Sequence, residues 1–582
     1  MARQLEHFPN LVTMFLTRVR EKGDDPFLWA KRGGQWQSIS WREAARQAAA
    51  FANSLKRIGL KPGDRIMLVS ENRPEWLIAD LGIMAAGCVT VPAYTTNTTR
   101  DHTHILANSG AAAVVVSTQK LARNLMPAVL FSSECHHVIG IDDIRTGQAP
   151  GSTEFHQWAG MVAGQADVTA LEERMKSVGR QDLACLIYTS GTGGAPRGVM
   201  QHHGSILANI EGATDVISSD FGWDDEVFLS FLPASHAYEH TGGQHFPIGL
   251  GAQIYYAESL EKLAANIEEV RPTIMVVVPR LFEMLRARIL KTIEGSGGLS
   301  TYLLKRALKI GADKYEGRRN PLDLPMDGIL SLTLRKKVRD RFGGRMKAMV
   351  SGGAPLNPEV GLFFQSLGLT FLQGYGQTEA GPVISCNRPA AGLRMDSVGP
   401  PVKGAEVRIA EDGEIMVRGE LVMRGYWQNP EETARVLRQD GWLATGDVGH
   451  LDGKGRIVIT DRKKDLIVLD KGDNVSPQRV EGMLTLQPEI AQAMVHGDRR
   501  PYLVALLVPE AEYAEQPDLQ QRLSKAVDRV NADLSVIERV RRFIVADEPF
   551  TTDNEQLTPS LKIRRHVIRT VYGERLDALY AK

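Results

Sequence analysis

Three hydroxyls (Thr189, Ser190, Thr192), three glycines (Gly191, Gly193, Gly194) and Arg197 follow an apolar run in Leu186-Ile-Tyr-Thr-Ser-Gly-Thr-Gly-Gly-Ala-Pro-Arg-Gly-Val-Met200. Ala184 to Tyr188 reads as a strand, so the loop offers successive backbone N–H groups at a strand end. Such groups form a concave nest for phosphate oxygens, and an arginine adds fixed positive charge. Two commoner phosphate loops are excluded by spacing. Gly193 to Gly198 has the G-x-x-x-x-G interval, but Val199 stands where the lysine belongs; Pro196 replaces the third glycine of the dinucleotide fingerprint.

Other segments rich in small and polar residues lie downstream: Ser351-Gly-Gly-Ala-Pro355, Gln373-Gly-Tyr-Gly-Gln-Thr-Glu379, Thr445-Gly-Asp447, Asp461-Arg-Lys-Lys-Asp465, and Lys562 within Leu557-Thr-Pro-Ser-Leu-Lys-Ile563. Together with the loop at 188–198, and in this order, they resemble the acyl-adenylate-forming superfamily, which includes acyl-CoA synthetases, luciferases and peptide-synthetase adenylation domains. The resemblance runs from about Trp41 to near the end of the chain.

That resemblance implies a two-step chemistry with ATP, Mg2+ and a thiol acceptor. A carboxylate attacks the α-phosphate of ATP, and the thiol then displaces AMP from the acyl-adenylate. The first step concentrates negative charge at phosphorus and calls for fixed positive groups and a metal. By the same resemblance Thr189, Ser190, Gly191, Thr192, Gly193, Gly194 and Arg197 hold the phosphates. Gly352, Gly353, Ala354, Gln373, Gly374, Tyr375, Gly376 and Thr378 frame the nucleotide, with Tyr375 stacked on adenine. Glu379 and Thr192 are implied as Mg2+ ligands, Asp447 as the ribose acceptor assisted by Arg462, Lys562 as the amine bridging carboxylate and α-phosphate, and Lys464 as the hinge. His236 is implied to approach the acyl carboxylate.

The loop departs from the family pattern twice: Gly193 replaces a threonine and Arg197 a lysine. Arginine keeps the charge but grips phosphate as a planar fork. Leu229-Ser-Phe-Leu-Pro-Ala-Ser-His-Ala-Tyr-Glu-His240 and Val276-Val-Val-Pro-Arg-Leu-Phe-Glu283 resemble the long-chain acyl-CoA synthetase branch, although His240 stands where that branch commonly has arginine. A medium-to-long fatty acid and coenzyme A are the expected substrates. A carrier-protein acceptor and a non-catalytic adenylate binder are the competing readings; a serine hydrolase is disfavoured by the absence of a G-x-S-x-G elbow.

The elements that must position these residues follow from periodicity. Trp41 to Ile58 reads as an amphipathic helix, and Arg65 to Ser70, Ala112 to Ser117, Ala184 to Tyr188, Ile274 to Val278 and Met346 to Val350 as strands separated by helical patterns. The expected fold is α/β with mostly parallel sheets. From about Val398 shorter strands (Glu406 to Ala410, Glu414 to Arg418) imply a β-rich subdomain. Leu466 to Leu469 and Leu503 to Val508 read as strands and the stretches from Pro517 and Pro559 as helical, giving a small mobile α+β domain. The expected division is 1–462 for the adenylation domain and 463–582 for the mobile domain.

A chain of 582 residues exceeds one hydrophobic core. Sixty-nine basic side chains balance sixty-nine acidic ones, which removes the field a general nucleic-acid binder uses. Four scattered cysteines give no disulfide framework, and Cys135-His136-His137 reads as a surface loop, since adjacent residues rarely converge on one ion. No secretory signal or membrane span is visible, so a cytoplasmic protein is expected, with a greasy substrate compatible with peripheral contact at the inner membrane face. The sequence leaves the oligomeric state open.

Overall fold

The computed structural model describes residues 3–144, 153–164, 166–189, 195–295, 297–318, 320–558 and 562–581. Ser190, Gly191, Thr192, Gly193 and Gly194 lie outside the described residues. Two large sheets dominate. In the seven-stranded sheet the order is Glu154–Gln157, His137–Gly140, Ala113–Val116, Arg65–Val69, Val89–Ala93, Leu183–Thr189, Arg197–His202, parallel except for the last pair. In the eight-stranded sheet Pro26–Arg32, Gln253–Tyr256, Val227–Ser230, Ile274–Val277, Ala348–Ser351 and Phe371–Gly376 are parallel, and the two edge strands Gln35–Ser40 and Val383–Cys386 are antiparallel.

Local sequence accounts for the layers. Ser40 caps the helix Trp41–Arg57 by accepting from Glu43 N at 3.2 Å, and Ala44, Ala45, Ala48, Ala49 and Ala52 form its buried stripe. This small-residue face admits the helix Pro74–Ala85 at close range: a Cβ on Gly82 would lie 2.8 Å from Phe51 Cδ1. Strands such as Ala113–Val116 are buried along their whole length, as sheets covered on both faces require.

The β-rich subdomain is a four-stranded antiparallel sheet, Glu406–Ile409, Glu414–Arg418, Leu443–Leu451 and Ile457–Arg462. Beyond it, Ile490–His496, Leu503–Pro509 and Val540–Val545 form a three-stranded sheet packed with the helices Pro477–Leu484, Leu519–Asp533 and Arg565–Ala578. Among the described residues no helix is long and apolar enough to cross a membrane.

Several expectations shift. The strand expected from Met346 begins at Ala348, whose pairing with Ile274 opens the ladder. The strand expected over Leu466 to Leu469 is confined to Ile467–Val468, since Leu469 N closes a turn on Asp473 O at 2.9 Å. The helix expected from Pro559 begins at Arg565: Leu557 and Ile563 pair as an antiparallel bridge that helical backbone would not permit. Cys135-His136-His137 is no surface loop throughout, because Cys135 is buried and His137 opens a sheet strand.

Candidate active site

The parallel strands carry their signature residues at C-terminal ends, where open α/β sheets bind ligands. Thr189 ends one strand, Ser351 another, and Phe371–Gly376 runs into the short 3-10 turn Thr378–Ala380 that bears Glu379. Register aligns Ser351 with Gln373, so Gly352, Gly353 and Ala354 leave the sheet beside Gly374. Ser351 Oγ and Gln373 Oε1 are buried and have no hydrogen-bond partner among the described residues. Orphaned acceptors and donors at a strand end are groups that a polar ligand would satisfy.

Two glycines are fixed by close approach. A Cβ on Gly352 would lie 2.9 Å from Tyr238 Cζ, and one on Gly376 would collide with Pro382 O. Tyr238 is itself held by its hydroxyl, which donates to Val350 O at 2.8 Å. Ala354 sits in an exposed bend.

Asp447 is buried and doubly engaged. Tyr375 OH donates to its Oδ2 at 2.7 Å, and Arg462 Nε to its Oδ1 at 2.9 Å. The pairing follows from the antiparallel register Asp447 with Arg462, which is why residues fifteen apart in sequence meet. Burial, then the Asp447 charge, push the Tyr375 phenol well above its ordinary range. Tyr375 thus stays a neutral donor.

Glu379 accepts from Tyr426 OH at 2.8 Å through Oε1; no hydrogen bond among the described residues reaches Oε2. Arg197 pairs with Glu432 at 2.6 Å, and its guanidinium lies 4.6 Å from the Tyr426 ring centroid. Tyr426 therefore links the strand after the glycine loop to Glu379. Sequence reasoning missed both Tyr426 and Glu432. The available signal was Asn429-Pro-Glu-Glu432, an N-cap followed by proline: Asn429 Oδ1 accepts from Glu432 N at 3.1 Å and opens the helix Pro430–Val436, which sets Glu432 in its first turn.

Lys562 comes from the C-terminal domain on a loop clamped by the Leu557–Ile563 bridge and by Thr558 N donating to Lys562 O at 2.8 Å. Its side chain is open to solvent. Desolvation by the protein atoms around it, then the Arg462 charge, nevertheless bring its ammonium down to about 8, opposed by Asp447, Glu379 and Asp465. The amine is thus coupled through charge to Arg462, Asp447 and Glu379. His236 belongs to the same locality: burial, then the Lys562 charge, lower it to about 4, so its imidazole is neutral, and its Nδ1 accepts from Tyr238 N at 3.1 Å.

Lys464 is exposed in the turn that follows the strand Ile457–Arg462. It lines an interdomain cleft of about 680 Å³ with Ala195, Arg197 and Glu432 on one side and Arg565 and Arg569 on the other. Thr189, Arg197, Glu379, Asp447, Arg462, Lys562 and His236 are thus connected by contacts or mutual charge effects, whereas the loop between Thr189 and Ala195 is outside the described residues.

Family models for the AMP-binding enzyme and the AMP-binding enzyme C-terminal domain match residues 15–427 and 464–582. The chain is 32% identical to the long-chain-fatty-acid–CoA ligase FadD15 of Mycobacterium bovis over 98% of its own length and 97% of that protein. It is 28% identical to the chloroplastic long-chain-fatty-acid–[acyl-carrier-protein] ligase AEE15 of Arabidopsis thaliana, covering 93% and 83%. The fold is shared with the A domain of a carboxylic acid reductase from Segniliparus rugosus, solved with AMP and a co-purified carboxylic acid, at a TM-score of 0.77 and 22% identity, covering 99% and 95%.

Proposed function

The chain belongs to the AMP-binding enzyme family and is an acid–thiol ligase, and from that premise we propose that it activates a medium-to-long fatty acid with ATP and passes the acyl group to coenzyme A. What supports the site assignment is Lys562: an amine from the second domain whose charge is coupled to those of Arg462, Asp447 and Glu379.

In this reading the ribose hydroxyls meet Asp447 and Arg462, and adenine lies against Tyr375, whose hydroxyl is already committed to Asp447. Arg197 and Thr189 flank the phosphates, with Ser190, Gly191, Thr192, Gly193 and Gly194 completing the loop. A fatty carboxylate oxygen forms a bond to the α-phosphorus while the bond to the β-phosphate oxygen breaks, and pyrophosphate leaves. The Lys562 ammonium holds the carboxylate against the α-phosphate and offsets the charge that builds there; one preorganised donor of this kind is worth ~3 kcal/mol. Neutral His236, beside Lys562, lies where the acyl carboxylate would enter.

Glu379 suits Mg2+: it is a hard oxygen donor with Oε1 fixed by Tyr426 and Oε2 without a protein hydrogen bond among the described residues. When bound, the metal supplies charge neutralisation on the phosphates. Thr192 is the second proposed ligand. In the transfer step the thiolate sulfur attacks the acyl carbonyl and AMP departs. The 1–462 and 463–582 units are proposed to rotate about Lys464 between the two steps, since an exposed turn can absorb the torsion change.

Each methylene adds ~0.8 kcal/mol of burial, roughly fourfold in affinity, so an acid series reads out pocket length directly. The test is pyrophosphate exchange across that series, followed by AMP release with and without coenzyme A. Exchange with fatty acids and coenzyme A-dependent release are expected. Absence of exchange with every acid overturns the adenylation reading, and release dependent only on an acylatable carrier protein overturns the coenzyme A reading.

A further inference from the structure

His137 gains neighbours from the fold that its sequence neighbours do not provide. The edge strand Glu154–Gln157 runs parallel to His137–Gly140, with His137 opposite Glu154 and Ile139 opposite His156. Glu154 and His156 are two residues apart and share a face, and His137 joins that face from the next strand. His137 Nδ1 lies 3.2 Å from His156 Nε2 and 3.6 Å from Glu154 Oε2, and His156 Nε2 lies 3.7 Å from the same oxygen.

We propose that His137 Nδ1, Glu154 Oε2 and His156 Nε2 form a binding site for one Zn2+ ion, separate from the ligase centre. A point equidistant from three atoms with these separations lies about 2.0 Å from each, which matches Zn–N and Zn–O bonds of roughly 2.0–2.2 Å. The carboxylate oxygen is too far from both nitrogens for a good hydrogen bond, whereas the two ring nitrogens hydrogen-bond each other at 3.2 Å when one carries the proton, a bond that the ion would replace. Two nitrogens and one oxygen, with the fourth position left to water, is a donor set that zinc accepts.

Burial supports this geometry. The two imidazoles are mostly enclosed, with side chains 14% and 18% exposed, while Glu154 is 68% exposed. The rings are therefore held in place and the outer side of the site faces water. Cys135 is not a ligand: its Sγ donates to His137 O at 3.8 Å, bracing the backbone instead.

A second cluster, Asp80 with His240 and His245, is fully buried; hydrogen bonds engage Asp80 Oδ2 and both Nε2 atoms, while Asp80 Oδ1 and both Nδ1 atoms have no partner among the described residues. Both Nε2 atoms donate to Asp80 Oδ2, at 3.1 and 2.9 Å. The six-residue π-helix His240–His245 brings both rings to that one oxygen. Among the described residues no such bonds satisfy the carboxylate of Glu154. Its strand has four residues and, among the described residues, pairs with one neighbour, so an ion would fasten an edge held by few backbone bonds. Four strand spacings separate His137–Gly140 from the strand that ends at Thr189, about 20 Å.

The experiment uses the full chain, stripped with chelator and re-equilibrated with micromolar Zn2+, with bound metal counted by mass spectrometry. One Zn2+ per chain is expected. Losing an outer-shell partner already costs about 10–100-fold in metal affinity, so His156→Ala and Glu154→Gln are each expected to weaken zinc by at least about 100-fold. Ligase activity in Mg2+ should be unchanged in both variants, which reports that they fold. Co2+ substitution should give visible bands in the wild type that the variants lack. Equal zinc uptake by wild type and both variants, no uptake by the wild type, or uptake lost only in His245→Gln overturns the proposal.

Discussion

Arg197 is held by Glu432: its Nη1 lies 2.6 Å from Glu432 Oε2, with both side chains one quarter exposed. In the proposed function this arginine is shared between that carboxylate and the incoming nucleotide. A partly exposed pair of this kind contributes ~0.2–1 kcal/mol. Glu432→Gln should release the guanidinium to phosphate and lower KM for ATP about two- to fivefold, with kcat little changed. Arg197→Ala should raise that KM. Steady-state kinetics at varied ATP decide it; a raised KM in Glu432→Gln shows instead that the carboxylate is needed to aim the arginine.

Lys562 titrates within the working range. With its ammonium brought down to about 8, the charge is present below that pH and lost as pH rises through it. In the free enzyme, kcat/KM for adenylation should therefore fall above about pH 8, while transfer from preformed acyl-adenylate loses no activity from this group. Lys562→Ala should lower adenylation by about 100-fold or more and abolish that alkaline limb. A limb that persists in Lys562→Ala assigns it to another group.

Much of this architecture was legible in the chain. Glu414 to Arg418 forms a strand over the expected residues, and the Trp41 helix ends one residue early, at Arg57, because alternation and the alanine stripe each match only one period. The Asp447–Arg462 pair was legible only through resemblance; its physical cause is a ladder register that no local pattern reports. The partners of Tyr426 and Glu432 were illegible for the same reason: Asn429-Pro-Glu-Glu432 signals a helix start, but each side chain acts on residues far away in sequence. His137 was read with its chain neighbours, whereas parallel pairing gave it Glu154 and His156 instead.

Tyr426 is the fixed point for Glu379. Its hydroxyl donates to Oε1 at 2.8 Å, and burial, then the Glu379 charge, raise the phenol far above its ordinary range, so it remains a donor at any working pH. Hydrogen bonds to charged groups are worth about 1.5–3 kcal/mol. Tyr426→Phe keeps the ring under Arg197 but frees the carboxylate. Adenylation should then need about ten times more Mg2+ for half-maximal rate or beyond, with thermal stability lowered only slightly. An unchanged Mg2+ requirement separates Glu379 from the metal.

The turn at Lys464 carries the last prediction. Arg462 ends a strand paired to Asp447, and the backbone then turns, with Asp465 N and Leu466 N both donating to Arg462 O at 3.0 and 3.1 Å. Lys464 itself is exposed, so its side chain contributes no core packing. Proline there fixes φ near −65° in every state. If the domains rotate about this turn, Lys464→Pro should retain pyrophosphate exchange within about twofold yet lose thiol transfer by about 100-fold or more, because a hinge residue acts only through the torsion it changes. Half-reaction rates measured separately make the distinction. Equal loss in both steps points to local unfolding, and intact transfer places the rotation elsewhere in the chain.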